Sequence, residues 1–419
     1  MTDPKDLLRQ LADAAIRAAD PAHRVPPILP AAPKKAIVLG AGKASAAMAR
    51  AIERTWPDTE LSGIVVTRYG YEVACEHIEI VLAAHPVPDD AGLEAARRIL
   101  DMAQGATADD LVIALMSGGG SALLTAPADG ITFAEKQEVN RQLLRSGADI
   151  GEMNTLRKHI SAIKGGRLAA AAHPARVLSI LISDVPGDDP AVIGSGPTVP
   201  DPTTFADALA VVAKYKMELP ESVRRHLEAG ADETPKPGSP IFNENDLMFA
   251  AKPDKSIEAA ADVARAAGFA VVDLGDRVEG EARDVGREHA ELALACKAGT
   301  GPAGAPCVIL SGGETTVTMT GHGRGGRNTE YLLGVAERLD GAADIYAVAC
   351  DTDGVDGSED NAGAFIDPTT CARADAAGLS VAAALAGNDA YTLFDNIGDL
   401  LMTGPTYTNV NDFRALVVT

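Results

Sequence analysis

The chain has 419 residues, of which 46% are hydrophobic, 23% charged and 4% aromatic. This composition is typical of a globular protein with two or three domains, and it excludes disordered, collagen-like and coiled-coil chains. Lysine and arginine number 37 against 59 acidic residues, so the formal net charge is −22. A charge of that sign repels nucleic acid and anionic membrane surfaces, and we expect neither as a partner.

Cysteine usage and hydropathy bear on the compartment. The five cysteines show no Cys-x-x-Cys spacing, which favours a reducing compartment over a disulfide framework or a zinc ribbon. No apolar run reaches the ~18 residues that span a bilayer. The start of the chain is amphipathic and carries acids, unlike a signal peptide. We therefore expect a soluble cytoplasmic protein.

Apolar strands alternate with amphipathic helices along the first half of the chain. The pattern predicts a helix over 4–19, strands at 35–39, 63–67, 78–83, 111–116 and 177–183, and helices over 44–55, 90–104 and 133–147. The first strand is apolar without alternation, so both of its faces should be buried. This order predicts a Rossmann-like, doubly wound α/β layer.

The proline- and glycine-rich segment TPKPGSP at 234–240 is the best linker candidate. Beyond it we predict helices over 254–267, 280–298 and 327–338, strands at 269–274, 306–310 and 344–350, and an antiparallel strand at 315–320. The chain should thus form a larger N-terminal α/β lobe over 1–235 and a smaller, mixed-sheet C-terminal lobe over 240–419. We expect a cleft between the two lobes.

The loops after the strands should carry the site, because ligands of open α/β sheets bind beyond the carboxyl ends of the strands. In the first loop, GAGKAS, Gly40 and Gly42 would let the backbone approach an anion, and Lys43 adds a positive charge at a helix start. The loop lacks Walker A spacing, and Ser45 replaces the third glycine of a dinucleotide fingerprint. A tight turn with a solvated lysine is an equally good interpretation.

The second loop follows the strand at 111–116. It offers a nest of backbone N–H groups suited to phosphate or carboxylate, formed by Ser117, Gly118, Gly119, Gly120 and Ser121. The alternative is a flexible turn, which its position directly after an apolar strand makes the weaker interpretation. The Gly-x-Ser-x-Gly elbow of hydrolases is absent.

Four basic residues lie within positions 157–167 of this acidic chain. On a helix, Arg157, Ile160 and Lys164 would fall near one face. Lys164 is our candidate from this run for binding an anionic cofactor. A solvated basic face is the alternative interpretation.

Carboxylates follow the strand at 177–183. Mg²⁺ prefers oxygen ligands and keeps several waters, so acids at this position are well placed to bind it. Asp184 and Asp189 are the better candidates, because Asp188 fits an ordinary turn.

The loop GRGGRNTE at 323–330 places Arg324 and Arg327 among glycines, where their forked donors suit phosphate or carboxylate. Arg327 should begin a helix, whose dipole also favours an anion. Asp351 follows the next strand, in DTDGVDG. That loop lacks the acid at the twelfth position of a calcium loop, so we reject a calcium site.

Taken in order, these motifs resemble the glycerate 2-kinases that carry a C-terminal MOFRL domain, which are also called hydroxypyruvate reductases of the tartrate-degradation type. The resemblance covers nearly the whole chain, although Thr329 stands where glutamine is expected and Tyr407 replaces a smaller residue. The matching segments are GAGKAS at 40–45, HPVPDDAG at 85–92, SGGGSALL at 117–124, KHISAIKGGRLA at 158–169, SDVPGDDP at 183–190, GSGPT at 194–198, SGGETTVT at 311–318, GRGGRNTE at 323–330, DTDGVDG at 351–357 and GPTYTNVND at 404–412.

The resemblance implies ATP-dependent phosphorylation of D-glycerate at its 2-hydroxyl, and a MOFRL domain over about residues 305–412. Family positions map onto Lys43, which we assign to the transferring phosphoryl group, and onto Arg327, which we assign to the phosphate or the glycerate carboxylate. Asp189 and Asp351 are candidates for Mg²⁺ or for orienting the hydroxyl. The candidate cofactor-binding residues are Gly40, Gly42, Ser117, Gly118, Gly119, Gly120, Ser121, Lys164, Arg324 and Asp351.

Two alternatives stay open. An NAD(P)H-dependent hydroxypyruvate reductase is favoured by Gly40-x-Gly42 after a strand and by Arg68 at the end of the next strand, where a 2′-phosphate could bind. The missing third glycine and the absence of an Arg–His–acid set disfavour it. A non-catalytic sensor of sugar acids or nucleotides would use the same loops. A homodimer is one assembly that the sequence allows.

Overall fold

The computed structural model describes residues 3–419. The helices are α1 Pro4–Arg17, α2 Pro21–Arg24, α3 Ser45–Thr55, α4 Asp90–Gln104, α5 Gly120–Leu123, α6 Phe133–Ser146, α7 Ile150–His159, α8 Arg167–Ala172, α9 Phe205–Lys214, α10 Glu221–Ala229, α11 Pro253–Ala266, α12 Ala282–Lys297, α13 Arg327–Leu339, α14 Thr370–Ala376, α15 Val381–Gly387 and α16 Ala390–Ile397. The strands are β1 Lys35–Ala41, β2 Glu60–Arg68, β3 Glu79–Ala83, β4 Leu111–Met116, β5 Arg176–Ile182, β6 Asp246–Ala251, β7 Ala270–Asp273, β8 Cys307–Gly313, β9 Ile345–Asp351, β10 Gly363–Ile366, β11 Leu400–Leu401 and β12 Asp412–Val418. None of the helices in this part of the chain is long and apolar enough to cross a bilayer.

Contacts divide the chain into two compact units. The N-terminal unit is Pro21–Ala250, and the C-terminal unit joins residues 3–20 to Ala251–Thr419. This division differs from the predicted lobes, because the sheet of the N-terminal unit continues past the TPKPGSP segment at 234–240 as β6, next to β5. That segment is therefore a loop inside the unit. Proline and glycine indicate that secondary structure is interrupted there, and they do not indicate whether a domain ends.

The first helix also lies in a different unit from the one predicted. Leu7, Leu8 and Leu11 of α1 are buried against Ile257 and Ala260 of α11, beneath the sheet of the C-terminal unit. The apolar stripe of α1 was evident in the sequence, but its packing partner lies about 250 residues further along the chain. Helix amphipathicity predicts that a face is buried and says nothing about which surface covers it.

The N-terminal unit is a doubly wound sheet, as predicted. Its strand order is β3-β2-β1-β4-β5-β6, which is the order of dinucleotide-binding folds. The pairings β1–β2, β1–β4, β2–β3 and β4–β5 are parallel. Ile37, Leu39 and Ala41 of β1 face a core with α4 and α8, while α3 contacts the same strands. The carboxyl ends of β1 and β4 therefore lie side by side, where the glycine loops begin.

The C-terminal unit is a mixed sheet with helices on both faces. Its order is β11-β10-β9-β12-β8-β7, and β7–β8 is parallel while the pairings of β12 with β8 and β9 are antiparallel. Along β12, Phe413 and Ala415 face the core with α1 and α11. Leu416 and Val418 face the core with α12 and α13.

The predicted antiparallel strand at 315–320 is wrong. Only an isolated bridge pairs Thr316 with Glu281. The amide of Thr318 donates to the Glu281 carboxylate, and the amide of Thr320 donates to Asn388 Oδ1 at 2.8 Å. Side-chain oxygens thus accept the hydrogen bonds that the backbone amides of this segment would otherwise donate to a neighbouring strand.

Replacing Leu11 with alanine should destabilise the C-terminal unit. Leu11 is fully buried in α1, and a large-to-small change of this kind costs about 2–5 kcal/mol because it leaves a cavity. Urea unfolding measures the loss, and hydrogen exchange should locate it in α11 and β12 rather than in β1 or β4. The exposed neighbour Gln10 provides the control, because Gln10→Ala should change neither readout. Faster exchange confined to β1 and β4 would contradict the assignment of α1.

Candidate functional site

The first glycine loop is locked onto the end of β4. A methyl group on Gly40 would lie 2.2 Å from the Leu115 carbonyl oxygen, and one on Gly42 would lie 2.2 Å from Ser117 Oγ. Gly42 also has a φ of +140°, which disfavours other residues. Packing between the strands therefore requires both glycines, whether or not a ligand lies against them. Their contact with a cofactor stays a prediction.

Lys43 joins this loop to the second one. Its backbone N–H donates to the Gly118 carbonyl at 2.9 Å, and the next amide, of Ala44, donates to Ser117 Oγ at 3.0 Å. Gly119 adopts a φ of +81°, and a methyl group there would lie 3.0 Å from the His85 ring and 3.6 Å from Lys43 Cγ. The structure thus brings Lys43, His85 and the predicted nest loop together.

Ser121 and Gly120 complete the second loop at the start of α5. The Ser121 hydroxyl lies 2.8 Å from the Ser195 hydroxyl, which in turn donates to Asn154 Oδ1 at 3.2 Å. The Gly120 amide donates to the Ser117 carbonyl in a turn, at 3.1 Å. The loop is therefore a fixed, hydrogen-bonded structure rather than a flexible turn.

Lys164 reaches the same loop from the basic run. Its ammonium donates to the Ser121 carbonyl at 2.8 Å and to the Ser121 hydroxyl at 3.3 Å. Only 2% of the residue is exposed. Burial, together with the positive charges of Lys136 and Arg157, holds the pKa of Lys164 well below its usual range. Helix α7 ends at His159, before the end of this run, yet Lys164 still lies beside Arg157 in one pocket.

That pocket is a cavity of about 220 Å³ in the N-terminal unit. Lys136, on α6, donates to the Ile160 carbonyl at 2.9 Å, and Arg157 Nε donates to Asn140 Oδ1 at 2.8 Å. Burial and the charge of Arg157 lower the pKa of Lys136 to about 7. Burial also lowers the pKa of Arg157. The pocket therefore collects three cations whose positive charge is costly.

Sequence reasoning missed Lys136, although a signal was present. Lys136, Val139 and Leu143 are the buried residues of α6, and their spacing puts them on one stripe of the helix. A lysine on the apolar stripe of an amphipathic helix is unusual, because lysine is almost never fully buried without a partner. That position could have marked the pocket.

Asp189 lies on an exposed turn after β5. Its Oδ1 accepts a hydrogen bond from the Ala191 amide at 2.8 Å. Across residues 3–419 there is no group of three or more histidine, cysteine or acidic side chains arranged to hold a metal ion. If Asp189 contributes to a magnesium site, as predicted, a substrate would have to supply further ligands of the ion.

In the C-terminal unit, Arg327 begins α13 as predicted, and it is surrounded by carboxylates. Its Nε donates to Asp412 at 2.8 Å, and its terminal nitrogens donate to Asp351 at 2.9 Å and to Glu314 at 3.0 Å. Burial opposes the charge, but Asp412, Asp351 and Glu314 outweigh it and hold the pKa of Arg327 well above its usual range. Arg327 and Asp351, which the sequence offered as separate candidates, are therefore in direct contact.

The anion position at the start of α13 is filled by the chain itself, which corrects the expectation that a ligand takes it. The backbone amides of Asn328 and Thr329 donate to the two carboxylate oxygens of Asp356, both at 2.9 Å. Asp356 is fully buried, and burial raises its pKa despite these bonds. Arg324, by contrast, is about half exposed, pairs with Glu359 and stacks on Tyr391.

Asp412 is a second residue that sequence reasoning did not single out. Besides Arg327, its carboxylate accepts hydrogen bonds from Asn328 Nδ2 at 2.7 Å and from the buried Arg414 at 2.5 Å. It ends the GPTYTNVND motif and begins β12. An acid at the start of a mostly apolar strand was the available signal. It organises the arginines of this unit.

Comparison with known proteins gives two matches to family models. Residues 7–228 match a domain of unknown function, DUF4147, and residues 307–412 match the MOFRL family.

Full-length relatives are also found. A D-glycerate 2-kinase of Thermotoga maritima is 38% identical over 417 residues, covering 98% of both chains. An Agrobacterium vitis protein provisionally named a hydroxypyruvate reductase is 52% identical, covering 99% of this chain and 94% of its own. The crystal structure of a Thermotoga maritima glycerate kinase matches with a TM-score of 0.90 at 36% identity, covering 99% of each chain.

Replacing Lys136 with methionine should change stability in a pH-dependent way. The folded pKa of about 7 lies below the ~10.4 of an exposed lysine, so the unfolded chain binds more protons between these values. The penalty for burying the charge is complete below pH 7 and is relieved as the pH rises. Urea unfolding at pH 6 and pH 9 should show the variant gaining more over the wild type at pH 6.

The control for this comparison is Arg141→Met, on the same helix. Arg141 is exposed and pairs with Glu138, so its stability difference from the wild type should be the same at both pH values. A constant difference for Lys136→Met as well would show that its ammonium stays fully charged in the folded protein above pH 7.

Proposed function

We propose that this chain, which belongs to the glycerate kinase family with a MOFRL region, transfers the terminal phosphoryl group of ATP to the 2-hydroxyl of D-glycerate. The products are 2-phosphoglycerate and ADP. The observation that carries the proposal is the loop of Lys43 hydrogen-bonded to the loop 117–121 at the carboxyl ends of β1 and β4. Ligands of doubly wound sheets bind at this edge.

Phosphoryl transfer requires positioning and charge neutralisation, with little covalent work by the protein. We assign Lys43 to stabilising the charge of the transferring group, because it lies in the loop that packs against Gly118 and Gly119. The glycines allow a phosphate to approach the backbone. Lys164 stabilises the loop 117–121 by donating a hydrogen bond to the Ser121 carbonyl.

Arg327 requires an exchange of partners before it binds a ligand. Of its three carboxylates, Asp412 is fully buried and Asp351 nearly so, whereas half of the Glu314 side chain is exposed. A phosphate or carboxylate would therefore displace Glu314 at the lowest cost. We propose that Arg327 binds such a group after this exchange while Asp351 and Asp412 keep the guanidinium in place.

The acids of this chain suit Mg²⁺ only if the nucleotide supplies further ligands. The ion is usually held by one or two carboxylates together with substrate phosphates. Asp189 fits this role, because it is exposed and only one of its oxygens is committed to a backbone amide. Asp351 is the second candidate. When bound, the ion neutralises charge on the phosphates.

The reductase alternative loses its main support from the sequence. Packing against β4 requires Gly40 and Gly42 without any dinucleotide. Ser45, where the third glycine of the fingerprint belongs, is buried and donates to the Gly42 carbonyl at 2.6 Å. The name of the Agrobacterium vitis relative keeps the alternative worth an assay.

Paired assays separate the three functions. With D-glycerate and Mg-ATP, the wild type should release ADP and form a product that enolase accepts. With hydroxypyruvate and NADH or NADPH, it should leave the cofactor unoxidised. Oxidation of the reduced cofactor would favour the reductase, and tight binding of ATP or D-glycerate with no turnover would favour a sensor. Enzyme without substrate acid corrects for background ATP hydrolysis.

Replacing Lys43 with methionine should lower kcat for D-glycerate by about 100-fold or more, the size expected when a charge-stabilising donor is lost. The control is Lys34→Met, an exposed lysine just before β1, which should keep normal turnover. Circular dichroism and thermal unfolding should match the wild type for both variants. Near-normal turnover by a folded Lys43→Met enzyme would remove Lys43 from the mechanism.

A further inference from the structure

The cavity of about 220 Å³ in the N-terminal unit is lined by three basic side chains, which are Lys136, Arg157 and Lys164. Within residues 3–419, none of them forms an ion pair with a carboxylate, and their hydrogen bonds run to neutral carbonyl, hydroxyl and amide oxygens. The two terminal amino groups of Arg157 donate to no residue in that part of the chain.

A neighbouring residue shows that this unit does pair a buried lysine with a carboxylate elsewhere. Lys158 follows Arg157 on α7 and is equally part of the basic run. Its ammonium lies 3.3 Å from the carboxylate of Asp201, which is fully buried. The chain contains 59 acidic residues, so carboxylates are not scarce. The cations of the cavity are therefore kept without acidic partners, although each remains costly to bury.

The missing negative charge is of the kind that a small acid supplies. The planar fork of an arginine matches a carboxylate through two parallel hydrogen bonds, and the adjacent ammonium groups add charge. Phe133 and Leu144 also line the cavity and contribute apolar surface. A cavity of about 150 Å³ holds benzene, so one of about 220 Å³ has room for a three-carbon acid.

We propose that Arg157 and Lys136 bind the carboxylate of the acceptor acid, with Lys164 adding charge beside them while it keeps its hydrogen bonds to Ser121 and Gly194, and that their cavity selects short 2-hydroxy acids. This inference rests on the proposed kinase function. The cavity and the loop of Lys43 lie close together, since Gly119 borders the cavity and a methyl group on it would meet both His85 and Lys43. An acid anchored by its carboxylate would extend its hydroxyl towards the residue that we assign to the transferring phosphoryl group.

The test replaces Arg157 with methionine or lysine and measures the KM for each substrate separately. Arg157→Met removes both charge and fork, so the KM for D-glycerate should rise by about 10- to 100-fold, as expected for the loss of a charged hydrogen bond. Arg157→Lys should give a smaller rise. The KM for Mg-ATP should stay within about twofold of the wild type. The control is the exposed Arg141→Met on α6.

Calorimetry without nucleotide provides a readout independent of turnover. D-glycerate should bind the wild type and bind Arg157→Met more weakly, whereas glycerol, which lacks the carboxylate, should bind neither. Binding at pH 8 should take up protons, because the anion favours the charged form of Lys136, which faces Arg157, Lys164 and His85 across the cavity. Two buffers of different ionisation enthalpy reveal that uptake.

The outcomes are distinct. A rise in the KM for Mg-ATP alone, or inorganic phosphate that displaces D-glycerate from the wild type without turnover, would make the cavity a nucleotide phosphate site and overturn the proposal. An unchanged KM for D-glycerate in a folded Arg157→Met enzyme would also overturn it. If the wild type phosphorylates no acid, the kinase proposal fails, while D-glycerate binding that depends on Arg157 would still support the cavity as a carboxylate site.

Discussion

Keeping three basic side chains together without a carboxylate is the constraint that shapes the cavity of the N-terminal unit. In a protein of net charge −22 this requires acids to point elsewhere. Glu135 and Glu138 flank Lys136 closely along α6, but the helix turns them away. Glu135 binds Thr132 at the helix start, and Glu138 binds Arg141 on the surface. Helical periodicity thus separates charges that are neighbours in sequence, and the cavity keeps its positive potential.

Local patterns predicted the N-terminal sheet well because its strands are continuous apolar runs. The strand at 111–116 was predicted with the bounds of β4, and the helix at 90–104 with those of α4. The failures share a physical origin in distant contacts. β6 at the edge of the sheet and the partner of α1 depend on residues far along the chain. The segment 315–320 has strand propensity, but its amides bind the side chains of Glu281 and Asn388.

The candidate site was predictable where a motif joins a strand end to a helix start, as at Lys43 and Arg327. It was not predictable where the function of a residue depends on a distant partner. No residue near Arg327 in the sequence indicates that Asp412, 85 positions away, binds its guanidinium. The glycines of the first loop resembled a cofactor signature, although the proximity of Leu115 and Ser117 already explains them. A sequence shows which residue types are present, whereas their counterions emerge only from the fold.

The carboxylate of Asp356 at the start of α13 limits what an anion near Arg327 can gain from the helix. The helix amides are already saturated, and Asp351 and Asp412 lie against the same guanidinium. The amides of Asn328 and Thr329 therefore have no hydrogen bond left to offer an anion at this end of α13. Attraction of an anion would have to come from the guanidinium of Arg327, whose charge Asp351 and Asp412 already offset.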